Sequence, residues 1–376
     1  MTKSITIVGG GLAGLTLGIG LRQQGIPVTI WEAGRYPRHR VCGEFISGRG
    51  QETLARLGLR EELIKAGAIA ASTAIFVSGR AGSPARPLPQ PALCLSRFVL
   101  DALLANVFRE RDGELRENER WRENDFGEGI VRANGRRSQS TANGWHWFGM
   151  KVHARDLPLQ ADLEMHIVQD GYVGLTQLPD KEVDVCGLFR RSSSLGESAG
   201  RGAVGTPRPT IPAQVGRGVP TAPPNSSNLP HGWRLALSPN PPSELCDRLA
   251  NACFDQNSTC SVAGLSLLPQ KAIAQRELSI GDSLTMTPPV TGNGMSMAFE
   301  SAELAIEPLV AYSRGQLNWA QAQQSVALAC DRAFSRRLAW ARWLQWMMFS
   351  PIFKGSMGAL VLRSNILWKT MFANTR

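Results

Sequence analysis

The sequence predicts an α/β protein in which a doubly wound parallel sheet is built from both ends of the chain, an antiparallel sheet is inserted between, and helices close the C-terminus. Three observations predict it. A β-branched run at 5–8, a helical pattern at 12–24 and an apolar run at 27–31 make a βαβ opening of about 30 residues, which implies a parallel sheet. From about 121 to 190, strand-like segments alternate with Gly, Asp and Pro breaks, as antiparallel strands do. From 295 onward the pattern is one of long helices.

The elements follow in order. Strand 5–8 leads into helix 12–24, which stops at Gly25, a residue suited to a helix C-terminus. Residues 51–67 and 97–112 read as helices. Segments 145–152, 163–168 and 183–189 read as strands. Residues 192–230 carry Ser, Gly and Pro clusters with almost no periodicity. They are expected to be a flexible insertion, with an active-site lid as the alternative. Helical patterning resumes at 243–253. A short strand and a loop reach Gly281-Asp282, and helices 295–313 and 319–349 precede an amphipathic end from Pro351. No internal repeat is visible.

With 376 residues, 43% hydrophobic and 19% charged, the chain can fill more than one core, and disorder is excluded as its general state. No charged n-region precedes a long apolar stretch, and no run of about 18 uncharged apolar residues occurs. Seven cysteines, at 42, 94, 186, 246, 253, 260 and 330, form neither a disulfide framework nor a zinc pair. A reducing cytoplasm is the expected compartment. Net charge is +10, and most of it lies in residues 331–376, where eight bases accompany one acid, Asp331. An anionic surface as partner and a solvated basic helix face both fit this asymmetry.

Gly9-Gly10-Gly11-Leu12-Ala13-Gly14 matches G-x-G-x-x-G, after a strand and at a helix start. Gly9 permits the tight turn, Gly11 the approach of a pyrophosphate, and Gly14 close helix–strand packing. The N–H groups and dipole of the helix start at Leu12 and Ala13 would face phosphate. Glu32 ends the second strand, 23 residues after Gly9, and Ala33 follows it. A carboxylate there suits an unphosphorylated adenosine ribose.

The C-terminal half sharpens this Rossmann-like signal. Residues 279–295, with Gly281-Asp282, Pro288-Pro289 and Gly292-Asn293-Gly294-Met295, resemble the second flavin fingerprint of the para-hydroxybenzoate hydroxylase and geranylgeranyl reductase superfamily. That resemblance implies a GR2-type FAD-binding domain in which Asp282 holds the ribityl chain and the 288–294 loop lies against the flavin pyrimidine. It implies a flavin-proximal loop at Arg40-Val41-Cys42-Gly43-Glu44, with Arg40 facing phosphates and Cys42 packed near the ring. It also implies that Arg97 touches the diphosphate–ribityl region, with a surface arginine at a helix start as the alternative. The expected division is FAD domain 1–120 and 271–330, substrate sheet 121–270 and C-terminal helices 331–376.

Departures from the family pattern matter too. Residues 133–138 resemble its Asp-Gly motif with Asn134 in place of Asp. The stretch starting at Tyr172 lacks the prenyl reductases' tryptophan and phenylalanine. Trp145-His146-Trp147-Phe148-Gly149 has the two tryptophans of the halogenase motif without its Ile-Pro, and Lys151 follows. Among five histidines (39, 146, 153, 166 and 231), His153 and His166 are candidates to line a substrate face. Aromatics and bases in 334–372 suit either an interfacial helix or core packing.

The implied function is an FAD-dependent oxidoreductase, with NAD(P)H as donor, hydroxylating an apolar or aromatic small molecule. Reduction of isoprenoid double bonds is the alternative on the same scaffold. A non-catalytic flavin-binding or membrane-associated protein is the alternative of another class. No catalytic side chain, metal ligand set or nucleic-acid motif stands out.

Overall fold

The computed structural model describes residues 2–78, 81–122, 126–136, 144–192, 233, 244–350 and 364–375. Residues 193–230 of the insertion expected at 192–230, and 351–363 at the start of the amphipathic end, lie outside them, while Ser192 ends a strand.

Strand β1 (Ile5–Val8), helix α1 (Leu12–Gln23) and β2 (Val28–Glu32) form the βαβ opening. Ile5, Ile7 and Val8 of β1 are buried, and Ile5 and Ile7 pack with Leu15, Leu17 and Ile30 in one core. The short strand β3 (Phe45–Ile46) and, further on, the hairpin of β4 (Ile69–Ser78) and β5 (Ala81–Gly82) flank helices α2 (Arg49–Arg56) and α3 (Arg60–Lys65). The single helix expected at 51–67 is therefore two. Gly58, at φ +67°, takes a left-handed turn that a continuous helix cannot contain. Next come β6 (Arg86–Cys94), α4 (Arg97–Glu110), β7 (Glu114–Glu117) and β8 (Ile130–Arg132).

Strands β7, β2, β1 and β8 form, in that order, a four-stranded parallel sheet. Residue Ile130 onward was expected to enter the antiparallel sheet. Instead β8 pairs with β1, and Arg132 bridges in parallel to Ser279. The backbone at 278–280 thus joins the nucleotide-side sheet just before Gly281-Asp282.

The second sheet has nine strands. To the earlier strands it adds β9 (Trp145–Arg155), β10 (Leu163–Val168), β11 (Gly171–Gln177), β12 (Val183–Ser192) and β13 (Cys253–Ala263). Its order is β13-β9-β12-β11-β10-β4-β6-β3, with β5 on β4. All pairs are antiparallel except β10 with β4. The "short strand" expected after 253 is eleven residues long, with a register shift between Asp255 and Cys260. Sheet membership interleaves along the chain, since 45–94 contributes strands to the large sheet before β7 and β8 complete the small one.

Helix α5 (Glu244–Ala250) covers the outer face of the large sheet, where Leu245 and Leu249 pack with Val173, Val185 and Trp233. Helix α6 (Gly294–Ser313) packs along α1 and α2. Helix α7 (Trp319–Phe349) starts at a capping box between Asn318 and Gln321 and crosses α6, and α8 (Asn365–Thr375) lies against it. No helix among the described residues is long and apolar enough to cross a membrane.

Candidate functional site

The glycine loop joins β1 to α1. Gly9 has φ +114°, and a Cβ there would lie 2.3 Å from the Ala133 carbonyl oxygen, so only glycine fits the turn. At Gly11, by contrast, a Cβ would meet nothing within 4 Å, and the helix has no side-chain cap. The first-turn N–H groups of Leu12, Ala13 and Gly14 have no intrahelical acceptor and face this open space.

Glu32 is buried at the end of β2. Its Oε2 accepts from the Gly10 N–H at 2.9 Å, and its Oε1 accepts from the Gly34 N–H at 2.7 Å and from Arg38 Nη1 at 2.8 Å. Burial alone would raise this carboxyl, but the Arg38 and Gly34 bonds outweigh it and hold the group below the usual range. The side chain is therefore ionised, as a ribose acceptor must be, and Arg38 shares it. Ala33 beside it is exposed, and the Tyr36 hydroxyl donates to the Gly10 carbonyl.

Arg40 is half-buried, and its Nε has no partner among the described residues. Burial and the neighbouring charges of Arg38 and Arg97 depress its pKa, against Asp101 and Glu32. Three guanidinium groups thus face two carboxylates, and an anion is the complement they lack. Arg97 starts α4 behind the Ser96 cap. Its Nε and Nη2 bind both oxygens of the fully buried Asp101, at 2.6 and 2.8 Å. That pair holds it charged despite burial.

The second fingerprint reaches the first at Gly281, where a Cβ would lie 2.8 Å from that of Ala13. Asp282 points to solvent at a cleft mouth, yet protein surrounds it. That desolvation raises its carboxyl, and Arg136 and Arg97 offset only part of the rise. One 3-10 turn, Pro289–Thr291, ends at Gly292 with φ +62°. A Cβ on Gly292 would lie 2.2 Å from Phe45 Cζ, so this loop packs directly on the loop carrying Cys42 and Gly43. Asn293 and Met295 are buried around the uncapped start of α6, and a Cβ on Gly294 would meet nothing within 4 Å. Among the described residues α4 and α7 have side-chain caps; α1 and α6, the two that start at these loops, have none, nor have α2 and α3. The open starts, the open sides of Gly11 and Gly294 and the orphaned Arg40 Nε fit an extended dinucleotide.

Burial pushes the Cys42 thiol up, with Arg97 opposing, so it is protonated at neutral pH and packs rather than acting as a thiolate. Beneath it lies a feature the sequence did not reveal. Glu44, at φ +54° and fully buried, accepts a salt bridge from Lys151 Nζ and is 2.7 Å from His153 Nε2. It also accepts from the Arg97 N–H at 2.7 Å. His153 Nδ1 is 3.1 Å from Glu182, and Asp184 Oδ1 is 3.9 Å from both Lys151 Nζ and His153 Nε2. Lys151 and Asp184 are fully buried. Ligand atoms of Glu44, His153 and Asp184 lie close enough to hold a metal ion, but the Lys151 ammonium already supplies a cation to that carboxylate.

Strand register explains the cluster. Lys151 and His153 on β9 stand opposite Cys186 and Asp184 on β12, and Asp184 stands opposite Thr176 on β11. Alternation puts all of them on one face. That face meets the 40–44 loop: Thr176 Oγ1 donates to the Gly43 carbonyl at 2.8 Å, and a Cβ on Gly149 would lie 2.9 Å from Val41. Further along, the same face turns apolar. Tyr172, Leu188, Met165, Ile167 and Trp147 pack with Val290 of the fingerprint loop and with Leu344 and Met348 of α7. Of the two candidate histidines, His153 is on this face. His166 is on the other, 2.7 Å from Glu164, which also binds Arg248.

Comparisons with known proteins agree with this layout. Residues 2–143 match the family described as FAD binding domain. A curated relative, Conditioned medium factor receptor 1 of Dictyostelium discoideum, is 27% identical over 130 residues, covering 30% of this chain; the chain spans a quarter (25%) of that relative. The flavin-dependent brominase Bmp2 superposes with a TM-score of 0.69 at 16% identity, over 99% of this chain and 92% of that one. The p-nitrophenol 4-monooxygenase PnpA from Pseudomonas putida DLL-E4 gives 0.66 at 13% identity, over 99% and 97%. Residues 2–143 are thus similar to an FAD-binding domain, and the chain shares the fold of these brominase and monooxygenase structures.

Proposed function

We propose that the protein is an FAD-dependent monooxygenase that hydroxylates an apolar or aromatic small molecule, with NAD(P)H as electron donor. One observation carries the substrate class. The large sheet turns an apolar, aromatic face, with Tyr172, Leu188 and Trp147, toward Val290 in the loop expected at the flavin. Apolar and aromatic packing beside that loop suits an apolar or aromatic substrate there.

Bound FAD would supply the redox chemistry with O2. The chain's own residues bind and orient it. Gly9, Gly11, Leu12, Ala13 and Gly14 would take the pyrophosphate and Glu32 and Ala33 the adenosine. Arg40 and Arg97 supply positive charge along the middle. Gly281 and Asp282 would hold the ribityl chain, and Pro289, Gly292, Asn293, Gly294 and Met295 the ring edge opposite Cys42 and Gly43. The helix α6 start directs N–H groups to where negative charge develops on reduction.

The test is product formation from a panel of phenols and apolar aromatics with NAD(P)H under labelled O2. Incorporation of one labelled oxygen is expected. Product formed without O2 would replace hydroxylation with reduction of a double bond. NAD(P)H oxidation that no substrate accelerates would favour a non-catalytic flavoprotein.

A second reading concerns α7, whose outer face exposes Trp343 and Trp346, 45% and 66% accessible, beside the base Arg342. Aromatic and basic residues together suit contact with an anionic bilayer. Flotation with phosphatidylglycerol vesicles should be lost in W343A/W346A. Equal flotation by both proteins would rule that contact out.

A further inference from the structure

The buried cluster beneath the Cys42–Gly43 loop has more structure than loop positioning needs. Glu182, His153, Glu44 and Lys151 form a continuous chain of contacts, and Asp184 stands beside it. Glu182 reaches solvent, 24% exposed, and lies 3.1 Å from His153 Nδ1. The other ring nitrogen of His153 is 2.7 Å from Glu44, and the second oxygen of Glu44 holds Lys151. Lys151 and His153 each stand 3.9 Å from Asp184, whose two carboxyl oxygens are buried with no hydrogen-bond partner among the described residues. A histidine bonded through both nitrogens can accept a proton on one side and release it on the other.

We propose that Glu182, His153, Glu44 and Lys151, with Asp184 beside them, form a proton relay from solvent to the underside of the Cys42–Gly43 loop, which delivers the proton consumed in each turnover. This rests on the monooxygenase reading. In that reaction the substrate, O2, NAD(P)H and one proton give the hydroxylated product, NAD(P)+ and water. The relay hands over one proton to the oxygen atom that leaves as water and regains one from solvent at Glu182; no other bond in it changes.

The charges balance. Burial and the Glu44 charge raise the Asp184 carboxyl, so it is neutral and carries a proton. Burial would lower the His153 imidazole, but its bonds to Glu182 and Glu44 raise it to about 9, so it is charged at neutral pH. Two cations, Lys151 and His153, then face two anions, Glu44 and Glu182, around one neutral acid. The remaining ionisable groups about His153 are His39, whose ring stands edge-on at 5.1 Å, and Asp255, its partner across β13. Arg155 lies near Glu182.

Glu182→Gln tests the relay at its mouth, away from the loop and the flavin. In the apo protein, the NMR titration of the His153 ring should fall from about 9 by a unit or more. In the FAD-loaded protein, FAD affinity should be unchanged, product formation should drop about tenfold, and its solvent deuterium isotope effect should rise. Glu182→Asp should restore both. A variant matching the parent in ring titration, rate and isotope effect overturns the relay. Absence of O2-dependent product in the parent would instead remove the monooxygenase reading, and the apo titration would still report whether the chain of contacts exists.

Discussion

Glu44 holds the 40–44 loop to the large sheet through Lys151 and His153, and to the start of α4 through the Arg97 N–H. Removing one partner of a buried ion pair leaves the other charge stranded, at a cost of about 3–5 kcal/mol. Lys151→Met should therefore lose about that much stability in urea, while Glu44→Gln with Lys151→Met should lose less; a double loss equal to the sum of the two single losses would show the two are not coupled. The pH dependence has two limbs. His153 has a folded pKa raised from 6.5 to about 9, so its contribution is complete below 6.5 and lost as pH rises through about 9. Glu164, buried but outweighed by its bonds to His166 and Arg248, is lowered from 4.5 to about 2. Its contribution is present above 4.5 and lost as pH falls through about 2. Thermal melts should fall on both sides, and His153→Gln should flatten the alkaline limb. The sequence could not assemble this cluster, because Glu44 lies 107 residues from Lys151 and 109 from His153. Its one local trace was Lys151 and His153 alternating with apolar residues in a strand. His166 showed the same trace yet faces the other way, since alternation does not say which face is inward.

At the scale of elements, the βαβ opening and the long helices were legible because periodicity and glycine punctuation are local. Strands β7 and β8 were not placed, being only four and three residues long. Strand β6 was hidden by its prolines, which its sequence Arg86-Pro87-Leu88-Pro89-Gln90-Pro91 carries at alternate positions. Helix α7 divides by face. Leu344 and Met348 of α7 are buried against Tyr172 and Leu188, while Trp343 and Trp346 are exposed. Leu344→Ala should cost about 2–5 kcal/mol, and Trp346→Ala should stay within about 0.5 kcal/mol. Urea denaturation of both separates a helix packed on the sheet from one that merely lies near it.

Across the whole molecule, two fingerprints far apart in sequence meet where Gly281 touches Ala13. That meeting was readable only through family resemblance; composition and periodicity could not supply it. The same line of residues runs from Glu32, past Arg40, to Asp282 and the 288–294 loop. Asp282→Ala should weaken FAD binding by about 1.5–3 kcal/mol, roughly tenfold to a hundredfold in Kd, by flavin fluorescence titration. An unchanged Kd would take Asp282 out of the site. The central claim is that this continuous line holds FAD, and the visible absorption spectrum of the purified protein tests it most directly. Bound-flavin bands that persist through gel filtration, or that return when FAD is added to stripped protein, are expected. A colourless protein that also refuses added FAD would contradict it.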